Sequence, residues 1–251
     1  MADLELLTIK IQQMTIESTN DQLTDKPAIT YSECYRLPFL SLFHADCMEI
    51  MKQYPDKHFD LAIVDPPYGL GMGCGAGETR GNGKKKKDLY TPKKWDTSKP
   101  TAEYWKELFR VSKNKVVWGG NYFTDMLPVS RGWIYWRKMM GGNYSDGELA
   151  WTSFDMILKE YTKRSEQGDN RFHPTQKPVG LYNFILHHYA KEGYKILDTH
   201  FGSGSIALAV DKANRLDKMN LHLTACEIDK EYIDKAIKRI SESIKQGTLS
   251  F

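Results

Sequence analysis

The sequence predicts an α/β fold with a doubly wound, mostly parallel sheet. From residue 39 onward, short apolar runs bounded by turn residues alternate with segments of helical periodicity. Two of those runs end in short motifs rich in proline or glycine, the kind of segment that open sheets carry at the carboxyl edge of their strands.

The elements follow in order. Leu40–Phe43 reads as a strand ending at His44-Ala45-Asp46, Cys47–Gln53 as a short helix, and Phe59–Val64 as a buried strand after a Pro55-Asp56 turn. These three make one βαβ unit. Thr101–Ser112 carries Tyr104, Trp105, Leu108, Phe109 and Val111 at helical spacing and leads into a strand at Lys115–Trp118. Trp133–Trp136 and Glu148–Leu158 read as strands separated by a turn at Gly141-Gly142-Asn143. Pro178 suits the first turn of a helix that runs to about Ala190. A strand at Tyr194–Leu197, a helix at Ser205–Ala213, a strand at Leu221–Cys226 and a charged helix at Asp229–Lys245 complete the pattern.

Residues 1–35 are an N-terminal arm whose structure the pattern leaves open, an extra hairpin and an oligomer contact among the options. Residues 36–251 form one domain, interrupted by a loop at 69–99 and a polar segment at 159–172. At 251 residues, with 41% hydrophobic and 27% charged residues, the chain is long enough to bury a substantial core. The net charge of +3 says less than its distribution. Arg80, Lys84, Lys85, Lys86, Lys87, Lys93, Lys94 and Lys99 crowd the first loop, whereas the first 33 residues are acidic. A bare lysine run is commonly just a solvated loop; next to a motif-bearing strand it points to a polyanionic substrate. Lys163, Arg164 and Arg171 add a second basic segment.

Cys34, Cys47, Cys74 and Cys226 form no C-x-x-C pair, which argues against zinc or a disulfide framework and for a reducing compartment. His44, His173 and His200 lack metal-ligand spacing, so no metal is expected. Neither a signal peptide nor a membrane span is apparent, and the cytoplasm is the expected location.

Asp65-Pro66-Pro67-Tyr68 follows the apolar strand directly. The prolines fix φ and remove two donors, leaving rigid carbonyl acceptors beside the Asp65 carboxylate and the Tyr68 ring. Acceptors under a flat ring suit a planar amino group, such as the exocyclic amine of adenine or cytosine; the plain alternative is a proline turn. Asp198-Thr199-His200-Phe201-Gly202-Ser203-Gly204-Ser205 lies between a strand and a helix, where glycines let backbone approach a ligand. Glu227 ends the next strand, where an acid reaches ribose hydroxyls. These features read as a nucleoside site. Gly202 and Gly204 followed by Ala207 also leave a dinucleotide site open.

With His173-Pro174-Thr175-Gln176-Lys177-Pro178 between them, the two motifs stand in an order that resembles the β group of the amino-DNA methyltransferases, with small host-modification and phage-type adenine enzymes as the nearest likeness. The likeness spans about residues 40–245 and includes Leu42–Cys47, Trp118–Phe123, Glu148–Phe154 and Cys226–Asp229 with Tyr232 and Arg239. It implies a Rossmann-like methyltransferase domain, S-adenosylmethionine as cofactor, and methyl transfer to adenine N6 of a flipped base in double-stranded DNA.

By that resemblance, Asp65, Pro66, Pro67 and Tyr68 form the catalytic motif. The cofactor falls to Asp46, Cys47, Asp65, Thr175, Gln176, Lys177, Asp198, Phe201, Gly202, Ser203, Gly204, Ser205, Glu227 and Ile228. Glu227 would take the ribose, Asp46 with Cys47 would border the adenine, and Thr175 to Lys177 would close over the methionine end. Where the family commonly has Pro-Phe after the aspartate of the turn, this chain has Thr199-His200. Segment 159–172 is the recognition candidate. A homodimer could supply further DNA-reading surface, and a cognate restriction endonuclease is a partner the family allows. Cytosine-N4 transfer, a non-catalytic DNA-binding module and a nicotinamide oxidoreductase remain the competing functions.

Overall fold

The computed structural model describes residues 34–70, 96–139, 145–164, 172, 173 and 175–248. Nine strands form one sheet: β1 (Cys34–Leu37), β2 (Leu40–His44), β3 (Phe59–Val64), β4 (Ser112–Trp118), β5 (Trp133–Arg137), β6 (Gly147–Thr152), β7 (Lys159–Thr162), β8 (Lys195–Asp198) and β9 (His222–Glu227). Their order across the sheet is β1-β2-β9-β8-β3-β4-β6-β5-β7. Only β1 and β6 run against the others among the described strands, so the sheet is mostly parallel.

Alternation along the central strands divides the core in two. Leu61 and Ile63 face a cluster with Leu181, Ile185, Ile206, Val210 and Ile240, whereas Ala62 and Val64 face Met51, Tyr104, Trp105 and Leu108. Helices α3 (Val179–Tyr189), α4 (Ser205–Asp217) and α5 (Lys230–Thr248) therefore cover one face. Helices α1 (Cys47–Met51) and α2 (Ala102–Val111) cover the other. In α2 the buried Tyr104, Trp105, Leu108 and Val111 recur one turn apart, and the helix stops where the Ser112 hydroxyl takes the Leu108 carbonyl.

The crossover β3-α2-β4 leads outward in one direction and β8-α4-β9 in the other, with their helices on opposite faces. The reversal falls between the neighbours β3 and β8. A crevice at the carboxyl ends of such a pair is where doubly wound sheets bind ligands.

Four sequence expectations are corrected. Cys34 and Tyr35, expected in the arm, pair with Phe43 and Leu42 in a hairpin, so the sheet begins before residue 36. The strand expected over Glu148–Leu158 ends at Thr152; the chain bends at Ser153–Asp155, where Ser153 N–H donates to Lys115 and Asp155 pairs with Arg131. Segment 159–172, expected as a polar recognition segment with no assigned strand, opens with edge strand β7, because Tyr161 packs its ring on Phe184 while Glu160 and Thr162 face out. Pro178 stands as the extended N-cap of α3, one residue before the helix. The Gly141–Asn143 turn and most of the basic loop, including Arg80, Lys84, Lys85, Lys86, Lys87, Lys93 and Lys94, lie outside the described residues, as do Arg171 and residues 1–33.

Candidate active site

β3 and β8 deliver their following segments side by side. Asp65 leaves β3 half-buried, and both of its oxygens are engaged: the Tyr68 hydroxyl donates to Oδ1 at 2.6 Å and the Lys177 ammonium to Oδ2 at 2.5 Å. Burial, with the Asp65 charge beside it, pushes the Tyr68 hydroxyl well above the ordinary tyrosine range, so it remains a donor. The Tyr68 ring stacks on Tyr122 at 4.9 Å and meets the edge of Phe123 at 6.0 Å. Gly119 makes this packing possible. It has φ +67°, and a Cβ there would lie 2.2 Å from the Tyr68 ring.

Lys177 is buried, with a side chain 2% exposed, and is held by Asp65 and by Glu148 at 3.2 Å while its ammonium sits over the Trp118 ring. A buried ammonium costs several kcal/mol of desolvation unless paired, and here two carboxylates pair it. Lys138 completes a chain of alternating charges by bonding the other Glu148 oxygen. Burial pushes the Glu148 carboxyl up, but the two ammonium groups outweigh it and hold it below the usual range. A cavity of about 360 Å³ opens between these groups, walled by Pro66, Pro67, Tyr68, Asn121, Tyr122 and Leu149. At its edge Gly69 N–H donates to the buried Asp96, and the Lys99 ammonium to the Tyr122 carbonyl.

The second half of the crevice belongs to β8, β9 and β2. Phe201, Gly202, Ser203, Gly204 and Ser205 are all buried, and Gly202 and Gly204 adopt positive φ. The Arg239 guanidinium clamps this turn by donating to the Ser203 carbonyl at 3.0 Å and to the Ser205 hydroxyl at 2.9 Å. Asp198 accepts from the His200 N–H. Burial, reinforced by the charges of Asp65 and Glu227, pushes its carboxyl up to about 7. Glu227 accepts three backbone N–H groups, from Gly202, Ile228 and Asp229, and burial raises its pKa too. Ile228 itself is 65% exposed. Asp46 caps α1 through Met48 N–H, and burial pushes the adjacent Cys47 thiol up to about 12. Neither Cys47 nor the fully buried Cys226 is a thiolate at neutral pH, so neither is a nucleophile.

The segment expected to close over the cofactor packs against the glycine turn and against β3. His173 lies over Gly202 and against Tyr232, Thr175 bonds the His173 ring, and Gln176 is buried. Lys177, expected beside the cofactor, is bound to the Asp65 carboxylate, itself among the residues expected there. Its reach across to β3 and the demand of a buried ammonium for carboxylates account for that pairing. Glu148 and Lys138 had no functional assignment from sequence, because only the tertiary fold brings β6 and the end of β5 to Asp65. Lys163 and Arg164 are exposed and leave β7 at the same carboxyl edge as Asp65. Among the described residues no group of His, Cys, Asp or Glu is arranged to hold a metal ion, and no helix is long and apolar enough to cross a membrane.

Comparison with known proteins points in one direction. Residues 148–238 match the DNA methylase family model, a span that includes Glu148, Lys177, the glycine turn and Glu227. The Type II methyltransferase M.HpaI of Haemophilus parainfluenzae is 24% identical over 247 residues, covering 79% of this chain and 73% of that protein. Two solved structures share the fold. One is an M1.HpyAVI–SAM complex, with TM-score 0.51, 20% identity, and 80% and 99% of the two chains covered. The other is PvuII DNA methyltransferase, described as cytosine-N4-specific, with TM-score 0.54, 13% identity, and 80% and 86% covered. In each case the likeness is to a DNA methylase or methyltransferase.

Proposed function

We propose that this chain is an S-adenosylmethionine-dependent DNA methyltransferase that methylates adenine N6 in double-stranded DNA. The observation that carries the proposal is the contrast between the two halves of one crevice. Around the 360 Å³ cavity, Asp65 and Glu148 are balanced by Lys177 and Lys138, an environment suited to a neutral base. Across β8 and β9, Asp198 and Glu227 are buried carboxylates with raised pKa values, a pattern relieved by a cationic ligand. A dinucleotide would bring its anionic pyrophosphate to that carboxylate-rich turn, which disfavours the oxidoreductase reading.

The residues present fit S-adenosylmethionine. Glycine at 202 and 204 allows the turn its positive φ, and Asp198 and Glu227 offer carboxylates to an ammonium and to ribose hydroxyls. When bound, the cofactor supplies a methyl group on a positively charged sulfur that departs as a neutral thioether. The chain does the rest. Asp65 and the Pro66 carbonyl accept the two amine hydrogens, which draws the nitrogen lone pair out of conjugation and toward the methyl carbon. Lys177 and the Tyr68 hydroxyl hold the Asp65 carboxylate in one orientation. Tyr68 and Tyr122 offer stacked aromatic walls to the base. The target must be flipped from the duplex to enter, and the basic residues of 69–99 with Lys163 and Arg164 would meet the phosphates. Adenine is preferred over cytosine because Asp occupies position 65, where the family resemblance associates Asp with adenine.

Incubation with labelled methyl donor and double-stranded DNA, followed by digestion to nucleosides, tests the reading. N6-methyladenine is expected. N4-methylcytosine would move the chain to the cytosine class, and no label in DNA would overturn the proposal.

A further inference from the structure

Thr199 and His200 form a polar relay with Tyr104. The buried Tyr104 hydroxyl lies 2.7 Å from the buried Thr199 hydroxyl, which lies 2.9 Å from His200 Nδ1. Proton counting fixes its direction. Tyr104 has no other hydrogen-bond partner among the described residues, so its proton is satisfied only by donation to Thr199. Thr199 in turn has only His200 Nδ1 left to receive its own proton. Any other assignment strands a buried hydroxyl hydrogen. Nδ1 is then an acceptor, and burial, which lowers the His200 pKa to about 4, keeps the ring neutral. The ring hydrogen sits on Nε2, to which no described residue is bonded.

The location of His200 identifies what that hydrogen meets. Methyl transfer to an amine at Asp65 puts the sulfonium end of the cofactor at the β8–β3 junction. The resemblance assigns the ribose to Glu227 and the adenine border to Asp46 and Cys47, and β8, β9 and β2, which carry these residues at their carboxyl ends, are neighbours in the sheet. His200, half-buried at the carboxyl end of β8, is near enough to Asp46 to feel its charge. On the methyltransferase reading above, we propose that His200 Nε2–H donates to a ring nitrogen of the cofactor's adenine, with Thr199 and Tyr104 fixing the tautomer. Asp46, beside it, would offer an acceptor to the adenine amino group. A donor and an acceptor facing one edge would distinguish adenine from a hypoxanthine ring, in which the amino group is replaced by a carbonyl and N1 carries a proton.

Calorimetric titration of the full chain with S-adenosylmethionine and with its 1-deaza, 3-deaza and 7-deaza adenine analogues tests the proposal, alongside ¹⁵N NMR of the His200 imidazole. One hydrogen bond is worth about three- to tenfold in affinity. The wild-type chain should lose about that factor on one analogue. His200→Phe, which keeps an aromatic ring but no donor, should bind S-adenosylmethionine correspondingly more weakly and show no further loss on the same analogue. Thr199→Val should release the Nε2–H tautomer in the NMR spectrum. Equal discrimination by wild type and His200→Phe, or an Nδ1–H tautomer in the wild type, overturns the assignment while leaving the methyltransferase reading intact. Absence of any S-adenosylmethionine binding by the wild type overturns both.

Discussion

The Lys177 ammonium lies 2.5 Å from Asp65 Oδ2 although 112 residues separate them in the chain, and the same ammonium reaches Glu148 at 3.2 Å. Removing the cation leaves two carboxylates facing each other without a counter-charge between them. Lys177→Met should therefore cost about 3–5 kcal/mol of stability and raise the Glu148 pKa. The sign follows from Glu148, whose folded pKa is depressed: its contribution is present above the usual carboxylate range and is lost as pH falls through the folded value. Chemical denaturation at pH 7 and pH 4 should show the deficit of the variant shrinking at the lower pH. An equal deficit at both would mean that Lys177 contributes packing rather than charge.

Gly119→Ala is expected to abolish methyl transfer while sparing cofactor affinity. The new Cβ would stand 2.2 Å from the Tyr68 ring on a backbone with φ +67°, displacing the ring from Tyr122 and its hydroxyl from Asp65. Calorimetry and a transfer assay on the same preparation separate the two effects.

Asp198 links cofactor binding to pH. Its folded pKa of about 7 lies above its ordinary 3.8, so its contribution to the free protein's stability is complete below about 4 and is lost as pH rises through about 7. A cationic ligand favours the ionised form. Affinity for S-adenosylmethionine should rise between pH 6 and 7.5, and Asp198→Asn should flatten both that rise and the fall in the free protein's melting temperature.

His200 acts on the acid side. Its pKa is lowered from 6.5 to about 4 by burial, so the stability it contributes is present above 6.5 and is lost as pH falls from 6.5 to 4. The melting temperature of the wild type should fall between pH 6.5 and 4 more steeply than that of His200→Phe, which has no imidazole to titrate.

Lys163 and Arg164 emerge at the same edge as Asp65, so exchanging both for alanine should weaken DNA binding without regard to sequence. The slope of log affinity against log salt should fall by about 1–2 if both contact phosphates. An unchanged slope would assign them to solvent.

The sequence made the central strands legible for a physical reason. Strands covered on both faces, such as Phe59–Val64, are continuous apolar runs, and turn residues bound them. The two motifs at their ends were legible as well, because proline and glycine announce backbone that no other residues supply. Edge strands were harder. The half-exposed β7 has no apolar run, and it reads as polar loop until Tyr161 is seen against Phe184. Pairings across the crevice were not legible at all. Lys177 with Asp65, Lys177 with Glu148, and Gly119 under Tyr68 depend on how β3, β4, β6 and α3 assemble, and no local spacing encodes that.

Asp65→Ala tests the central claim most directly. Measured together, binding of S-adenosylmethionine should stay within a few-fold of wild type while methyl incorporation into double-stranded DNA disappears. Undiminished incorporation by the variant, with N6-methyladenine still formed, would contradict the account.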